Sequence, residues 1–124
     1  MEERLFELKL KGYCCSQIIT EICLEMMEMD SPELIAASEG LCDGARCGGT
    51  CGVVTAGLAV MYLANRDEAK KGMDMEFVEW FEGVFGSTMC NELLGDDPGA
   101  KSTKCPMMVE AALTWLADMM EWEC

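Results

Sequence analysis

Apolar residues recur every three or four positions along nearly the whole chain, and that spacing predicts a succession of helices. Leu5, Phe6, Leu8 and Leu10 make a short amphipathic start that Gly12 ends. A second helix is predicted over about 14–29, with Ile18, Ile19, Ile22, Cys23, Met26 and Met27 on one side and Glu21, Glu25 and Glu28 on the opposite, solvated face. In Asp30-Ser31-Pro32-Glu33, Ser31 supplies a side-chain acceptor, Pro32 suits the first helical position and Glu33 suits the positive helix end. A third, brief helix therefore starts here and ends near Gly40. Residues 51–64 read as a central helix, because Ala56, Gly57 and Ala59 allow a neighbour to pack closely. After a charged turn over 65–72, Asp74 is expected to cap a helix carrying Phe77, Val78, Trp80, Phe81, Val84 and Phe85. Ser87 is expected to cap a shorter one ended by Gly95. The turn signal Asp96-Asp97-Pro98-Gly99 precedes a last helix, from Ser102 or Thr103 through Met108, Val109, Ala112, Leu113, Trp115, Leu116, Met119 and Met120. No hairpin signature or internal repeat interrupts the pattern. The expected fold is all-α, a single domain over 1–124 built as a bundle of about five to seven helices around one core.

Between the third and central helices lies 39–52, with five glycines and three cysteines. Such a loop can turn with positive φ and bring backbone close to a ligand. The chain has nine cysteines and no histidine. Four of the nine stand where helices are predicted to begin. Cys15 opens Cys15-Ser16-Gln17-Ile18-Ile19, Cys51 opens the central helix, Cys90 follows Ser87-Thr88-Met89, and Cys105 precedes Pro106. A helix N-terminus carries roughly +0.5 charge and unpaired N–H donors, which favour thiolate over thiol and lower a cysteine pKa from about 8.5. If the four starts converge, they make one sulfur-lined site for redox or metal chemistry. Cys23 sits within an apolar stripe and reads as a small core residue, and Cys124 is a terminal thiol. Cys14 projects about 100° away from Cys15 on a helix, so only one of the two faces such a site squarely.

Composition narrows the chemistry. With 51% hydrophobic residues, 124 residues can bury a core without disulfide staples, and an odd number of cysteines is unlike a secreted disulfide scaffold. The start Met1-Glu2-Glu3-Arg4 lacks the basic region of a signal peptide, and the apolar stretch 53–64 is too short for a bilayer, which needs about 20 residues. The expectation is a soluble, cytoplasmic protein with no membrane insertion. A net charge of −14 excludes nucleic acid as a partner, since phosphate contacts need the Lys and Arg that occur at only nine positions. Several of these cluster near sulfur: Lys11 before Cys15, Arg46 beside Cys47, Lys101 and Lys104 before Cys105.

The absence of histidine removes Cys-His and Ser-His-Asp catalysis and c-type haem attachment. No Cys-x-x-Cys is present, so a disulfide has to join cysteines distant in sequence. Gly44-x-x-x-x-Gly49 fails as a phosphate loop because Thr50 and Cys51 replace the Lys and Ser/Thr. Cys42-x₄-Cys47-x₃-Cys51 approaches the plant-type ferredoxin spacing with its second gap one residue too long, which makes Cys42 and Cys47 further ligand candidates. The twelve methionines fall mainly on apolar helix faces and read as core filling rather than a Cu(I) site.

Gly12-Tyr13-Cys14-Cys15-Ser16-Gln17, Gly49-Thr50-Cys51-Gly52-Val53-Val54-Thr55-Ala56-Gly57, Phe85-Gly86-Ser87-Thr88-Met89-Cys90-Asn91-Glu92-Leu93 and the later Cys105 occur in that order over about 12–120. Together they resemble the C-GCAxxG-C-C family of redox-active proteins, with Val53 where the family usually has Ala and Ala56 where it usually has Gly. The resemblance carries the family's four characteristic cysteines onto Cys15, Cys51, Cys90 and Cys105, and implies a redox role without defining a reaction. A more distant likeness to the non-haem part of split-Soret cytochromes implies an iron centre. Three readings stand on the residues. The first is electron transfer to a redox partner protein through an iron–sulfur cluster on Cys15, Cys51, Cys90 and Cys105, with N–H bonds from Gly48, Gly49 and Gly52 to the sulfurs. The second is thiol–disulfide or sensor chemistry of the same cysteines without a metal, and the third is structural zinc in a Cys₄ site. An exposed helix face could also pair two copies as a homodimer.

Overall fold

Each predicted apolar stripe becomes a helix in the computed structural model, which describes residues 2–95 and 99–122, with the backbone alone at 2, 101 and 102. In chain order these are α1 (Glu2–Leu10), α2 (Cys15–Met26), α3 (Pro32–Ser38), α4 (Gly52–Ala64), the single turn α5 (Arg66–Glu68), α6 (Asp74–Phe85), α7 (Cys90–Leu94) and α8 (Ala100–Met119). Seven of them have five residues or more, and among the described residues there is no strand, so the fold is all-α. None of the described helices is long and apolar enough to cross a membrane. The predicted turn at Asp96-Asp97-Pro98 and the terminal Cys124 lie outside the described residues.

The caps show where local chemistry decides a boundary. Ser31 Oγ accepts the Leu34 N–H at 3.4 Å, with Pro32 first in α3, as its residue types require. Cys14 is the N-cap of α2, and its N–H is bound by Gln17 Oε1 at 3.2 Å. Three expected starts shift. Met89, not Ser87, is the N-cap of α7; Ser87 Oγ accepts the Met89 N–H at 3.0 Å and donates to Glu92 at 3.2 Å, bracing the turn before the helix. Asp74 is the first residue of α6 rather than its cap, and its carboxylate takes the Met75 N–H and the Tyr62 hydroxyl, each at 2.7 Å. The last helix begins at Ala100, ahead of Ser102 and Thr103. Thr103 Oγ1 bonds back to the Gly99 and Ala100 carbonyls at 3.4 and 3.3 Å, the habit of a threonine already inside a helix. Cys105 and Pro106 are therefore inside α8, not at its start.

α4 is central, packed on α2, α6 and α8, and α2 also packs on α8. Ile19, Val53, Val60, Met61, Phe77, Phe81, Leu113 and Leu116 are fully buried among them. Gly57 permits the α4–α6 contact: a Cβ there would stand 2.6 Å from the Phe77 ring, which is itself held 5.2 Å from Trp115. Ala59, by contrast, faces solvent. Cys23, Met61 and Met108 fill the core as expected, while Met119 and Val84 are exposed. In α1 only Leu5 and Leu8 reach the core; Phe6 and Leu10 are 64% and 72% exposed. The helix is tethered instead by Arg4, which bonds Glu7 at 2.9 Å, Glu21 at 3.3 Å and Glu25 at 2.5 Å. Glu21 and Glu25 are thus the dock for α1 and not simply a solvated face.

Candidate functional site

Two short loops set the site. Thr50 and Met89 form an antiparallel bridge, in which the Cys51 N–H donates to the Thr88 carbonyl and the Cys90 N–H to the Gly49 carbonyl, both at 2.7 Å. Cys51, N-cap of α4, and Cys90, first residue of α7, are consequently neighbours. Gly52 brings in α2: a Cβ at this residue would lie 2.8 Å from the Leu41 carbonyl oxygen and 3.1 Å from Cys15 Sγ. Lys104 Nζ donates to the Leu93 carbonyl at 2.9 Å and ties α8, with Cys105, to the end of α7. Cys15, Cys51, Cys90 and Cys105 all line one cavity of about 320 Å³, walled by Leu5, Ile18, Leu93, Met108 and Val109, with Cys14, Lys9, Asp43 and Tyr13 also on its lining.

The other sequence-predicted residues are placed differently. Gly52 lines the cavity; Gly48 and Gly49 do not. The Gly49 N–H is committed to the Gly44 carbonyl at 2.9 Å, and a Cβ at Gly48 would stand 3.2 Å from the Asn91 side chain. Asp43, Gly44, Ala45 and Arg46 all have left-handed φ of 55–67°, which coils the loop before Cys47 and leaves that residue exposed, its Sγ 3.4 Å from the Gly44 carbonyl. Cys42 is joined to Cys14 in a disulfide with Cα atoms 6.1 Å apart. The ferredoxin-like spacing of Cys42, Cys47 and Cys51 therefore gathers no shared site. The cations expected near sulfur are occupied elsewhere: Lys11 lies over the Tyr13 ring, Arg46 faces Asp43 at 4.0 Å, and the Lys101 side chain is outside the described set. Lys9 reaches the cavity instead, a position that depends on how α1 docks and leaves no mark in local sequence.

At Cys15 and Cys51 burial reverses the expected lowering of the pKa. The Cys15 thiol is pushed up to about 12, first by burial, then by Cys51 and Cys105, and more weakly by Cys90. Cys51 is also raised by burial, although the Val53 and Val54 N–H groups at the start of α4 pull it down. A helix terminus offers about half a charge, whereas a thiolate taken out of water beside other thiols loses far more solvation than that returns. The cavity thus holds Cys15 and Cys51 as thiols, and it will give up their protons only to something positive or oxidising. Cys23 is likewise raised to about 12 by burial alone.

Stability should depend on pH for the same reason. The unfolded chain loses the Cys15 and Cys23 protons near the ordinary 9.0, and the native protein keeps them to about 12. Between those values the native state binds more protons, so stability is complete below pH 9 and falls as pH rises toward 12, by up to about 1.4 kcal/mol per pH unit per group. Urea midpoints of the metal-free protein should drop between pH of about 8 and about 11, and Cys23→Ala should flatten that slope. A midpoint that holds or rises over this interval would contradict the burial of both thiols.

Among the described residues no three Cys, Asp or Glu side chains meet at the spacing of a single bound ion. A family model described as "Putative redox-active protein (C_GCAxxG_C_C)" matches residues 13–119. No curated protein and no solved structure matches the chain.

Proposed function

The chain belongs to the C-GCAxxG-C-C family of redox-active proteins, and from that premise we propose that it carries electrons through an iron–sulfur centre held by Cys15, Cys51, Cys90 and Cys105. The observation that carries this reading is the convergence of four thiols from four helices on one half-open cavity of about 320 Å³. The donor set fits: thiolate sulfur is the usual ligand of such clusters, which when bound supply a one-electron couple. A lone zinc would need four sulfurs about 2.3 Å from one point. The chain's own residues do the rest. Val53 and Val54 N–H groups support negative charge on Cys51, Ile18, Leu93, Met108 and Val109 give the cavity an apolar wall, and the raised thiol at Cys15 makes loading release a proton there. A redox partner protein is the counterpart this chemistry needs.

Thiol–disulfide chemistry is the second reading, favoured by one specific observation, the Cys14–Cys42 disulfide against the cavity wall. Analysis of anaerobically purified protein separates the readings. Iron with acid-labile sulfide and a brown colour bleached by dithionite is the expected result. A colourless protein with neither, under strict anaerobiosis, would sink the cluster, and one equivalent of zinc would replace it with a structural metal site.

A further inference from the structure

We propose that Cys14 and Cys42, at the wall of the four-cysteine cavity, form a reversible thiol–disulfide exchange site for dithiol reductants, in which Cys14 is the sulfur attacked and Ser16 stabilises the reduced pair. The two sulfurs differ in access. Cys14 is half-buried at the start of α2, whereas Cys42, 28 residues later, is 2% exposed. Beneath them lies Ser16, fully buried, with its Oγ 3.2 Å from Cys14 Sγ and 3.1 Å from Cys42 Sγ. That hydroxyl donates its one proton to the Ser38 carbonyl at 2.6 Å, so what it turns toward both sulfurs is lone pairs. In the disulfide neither sulfur carries a hydrogen, and those lone pairs meet no donor. In the dithiol both S–H groups can donate to Ser16 Oγ, and the chain of hydrogen bonds through Ser38 is complete. The polar pocket is thus matched to the reduced state of the pair.

The exchange balances without any further reagent. A thiolate of the incoming dithiol attacks Cys14 Sγ, forming a mixed disulfide and breaking the Cys14–Cys42 bond. Cys42 leaves as a thiolate, met by the Ser16 hydroxyl as it swings from the Ser38 carbonyl. The second thiolate of the reductant attacks its own sulfur in the mixed disulfide and releases Cys14. The reductant's two thiol protons end on Cys14 and Cys42, so the protein gains two electrons and two protons while the reductant becomes a disulfide.

Stabilising the reduced form makes a disulfide more oxidising. The test equilibrates the native protein with dithiothreitol redox buffers and reads Cys14 and Cys42 individually by differential alkylation and peptide mass. The pair should reduce and reoxidise together without denaturant, and Ser16→Ala should shift the equilibrium about tenfold toward the disulfide, about 30 mV for this two-electron couple. With oxidised glutathione as probe, Cys14 in Cys42→Ser should be modified about tenfold or more faster than Cys42 in Cys14→Ser, following their difference in access. Reduction only in denaturant, or equal modification of the two cysteines, would overturn the proposal whether or not Ser16→Ala folds; an unchanged equilibrium in folded Ser16→Ala would also do so. Because each cysteine is read separately, failure here and absence of iron in the cavity are distinct results.

Discussion

Serine at any one of Cys15, Cys51, Cys90 or Cys105 should strip the anaerobically prepared protein of most of its iron, its sulfide and its visible absorption. Each of the four lines the same cavity from a different helix, and Cys14, the other cysteine on that lining, is joined to Cys42. A serine hydroxyl stays protonated near neutral pH and is a poor ligand where a thiolate is required. Two controls keep the effect from being read as general damage. Cys47→Ser, on an exposed loop residue outside the cavity, should leave iron content unchanged. Cys23→Ser should cost about 1–3 kcal/mol through a buried hydroxyl, yet retain the centre. Iron and sulfide analysis alongside urea melts tells these apart. Full iron in Cys90→Ser and Cys105→Ser, with loss in Cys47→Ser, would move the site to the loop.

Gly52→Ala is the second change expected to have a large effect, and its sign is informative. Alanine is the better helix former by up to about 1 kcal/mol, so a glycine in the first turn of α4 with room around it should be improved by the exchange. There is no room. The added methyl would sit 2.8 Å from a backbone oxygen of Leu41, which has no rotamer to escape to, and 3.1 Å from Cys15 Sγ. Overpacking of this kind costs about 1–3 kcal/mol and outweighs the propensity gain, so the variant should be destabilised and should bind less iron as Cys15 moves from Cys51. Gly83 in α6 has nothing within 4 Å of its Cβ direction, and Gly83→Ala should stabilise by up to about 1 kcal/mol. Equal urea midpoints for the two variants would show that the α2–α4 approach is not tight at Gly52.

Helix by helix, the fold was legible because its signals are local: an apolar period, a serine before a proline, a glycine after a stripe. The central helix could be recognised from Gly57 and its small neighbour Ala56 for the same reason. The four cavity cysteines were also legible, since three of them do stand at helix starts and the fourth falls in the same family pattern. What was not legible depends on tertiary approach. The acidity of the thiols changed direction because burial, invisible in a motif, exceeds the pull of a helix end. Cys14 and Cys42 meet across 28 residues where α2 packs on the end of α3, with Ser16 bonded to the Ser38 carbonyl. Arg4 likewise finds Glu21 and Glu25 only once α1 has folded back on α2.

The bridge between Thr50 and Met89 closes a loop of about 40 residues with two hydrogen bonds. Two such bonds return about 1–3 kcal/mol in all, less than the entropy of holding a loop of that length shut, so the closure has to be borne by the docking of α4 on α6 inside it. Folding should therefore run in a definite order, with the α4–α6 pair assembled first and the Cys51–Cys90 neighbourhood appearing only afterwards. A chain still emerging from the ribosome, before Met89, Cys90 and Cys105 have been added, has no complete set of sulfurs to offer. On the cluster reading, loading would follow folding, and in native-state hydrogen exchange the Cys51 and Cys90 amides should open before those in the middle of α4.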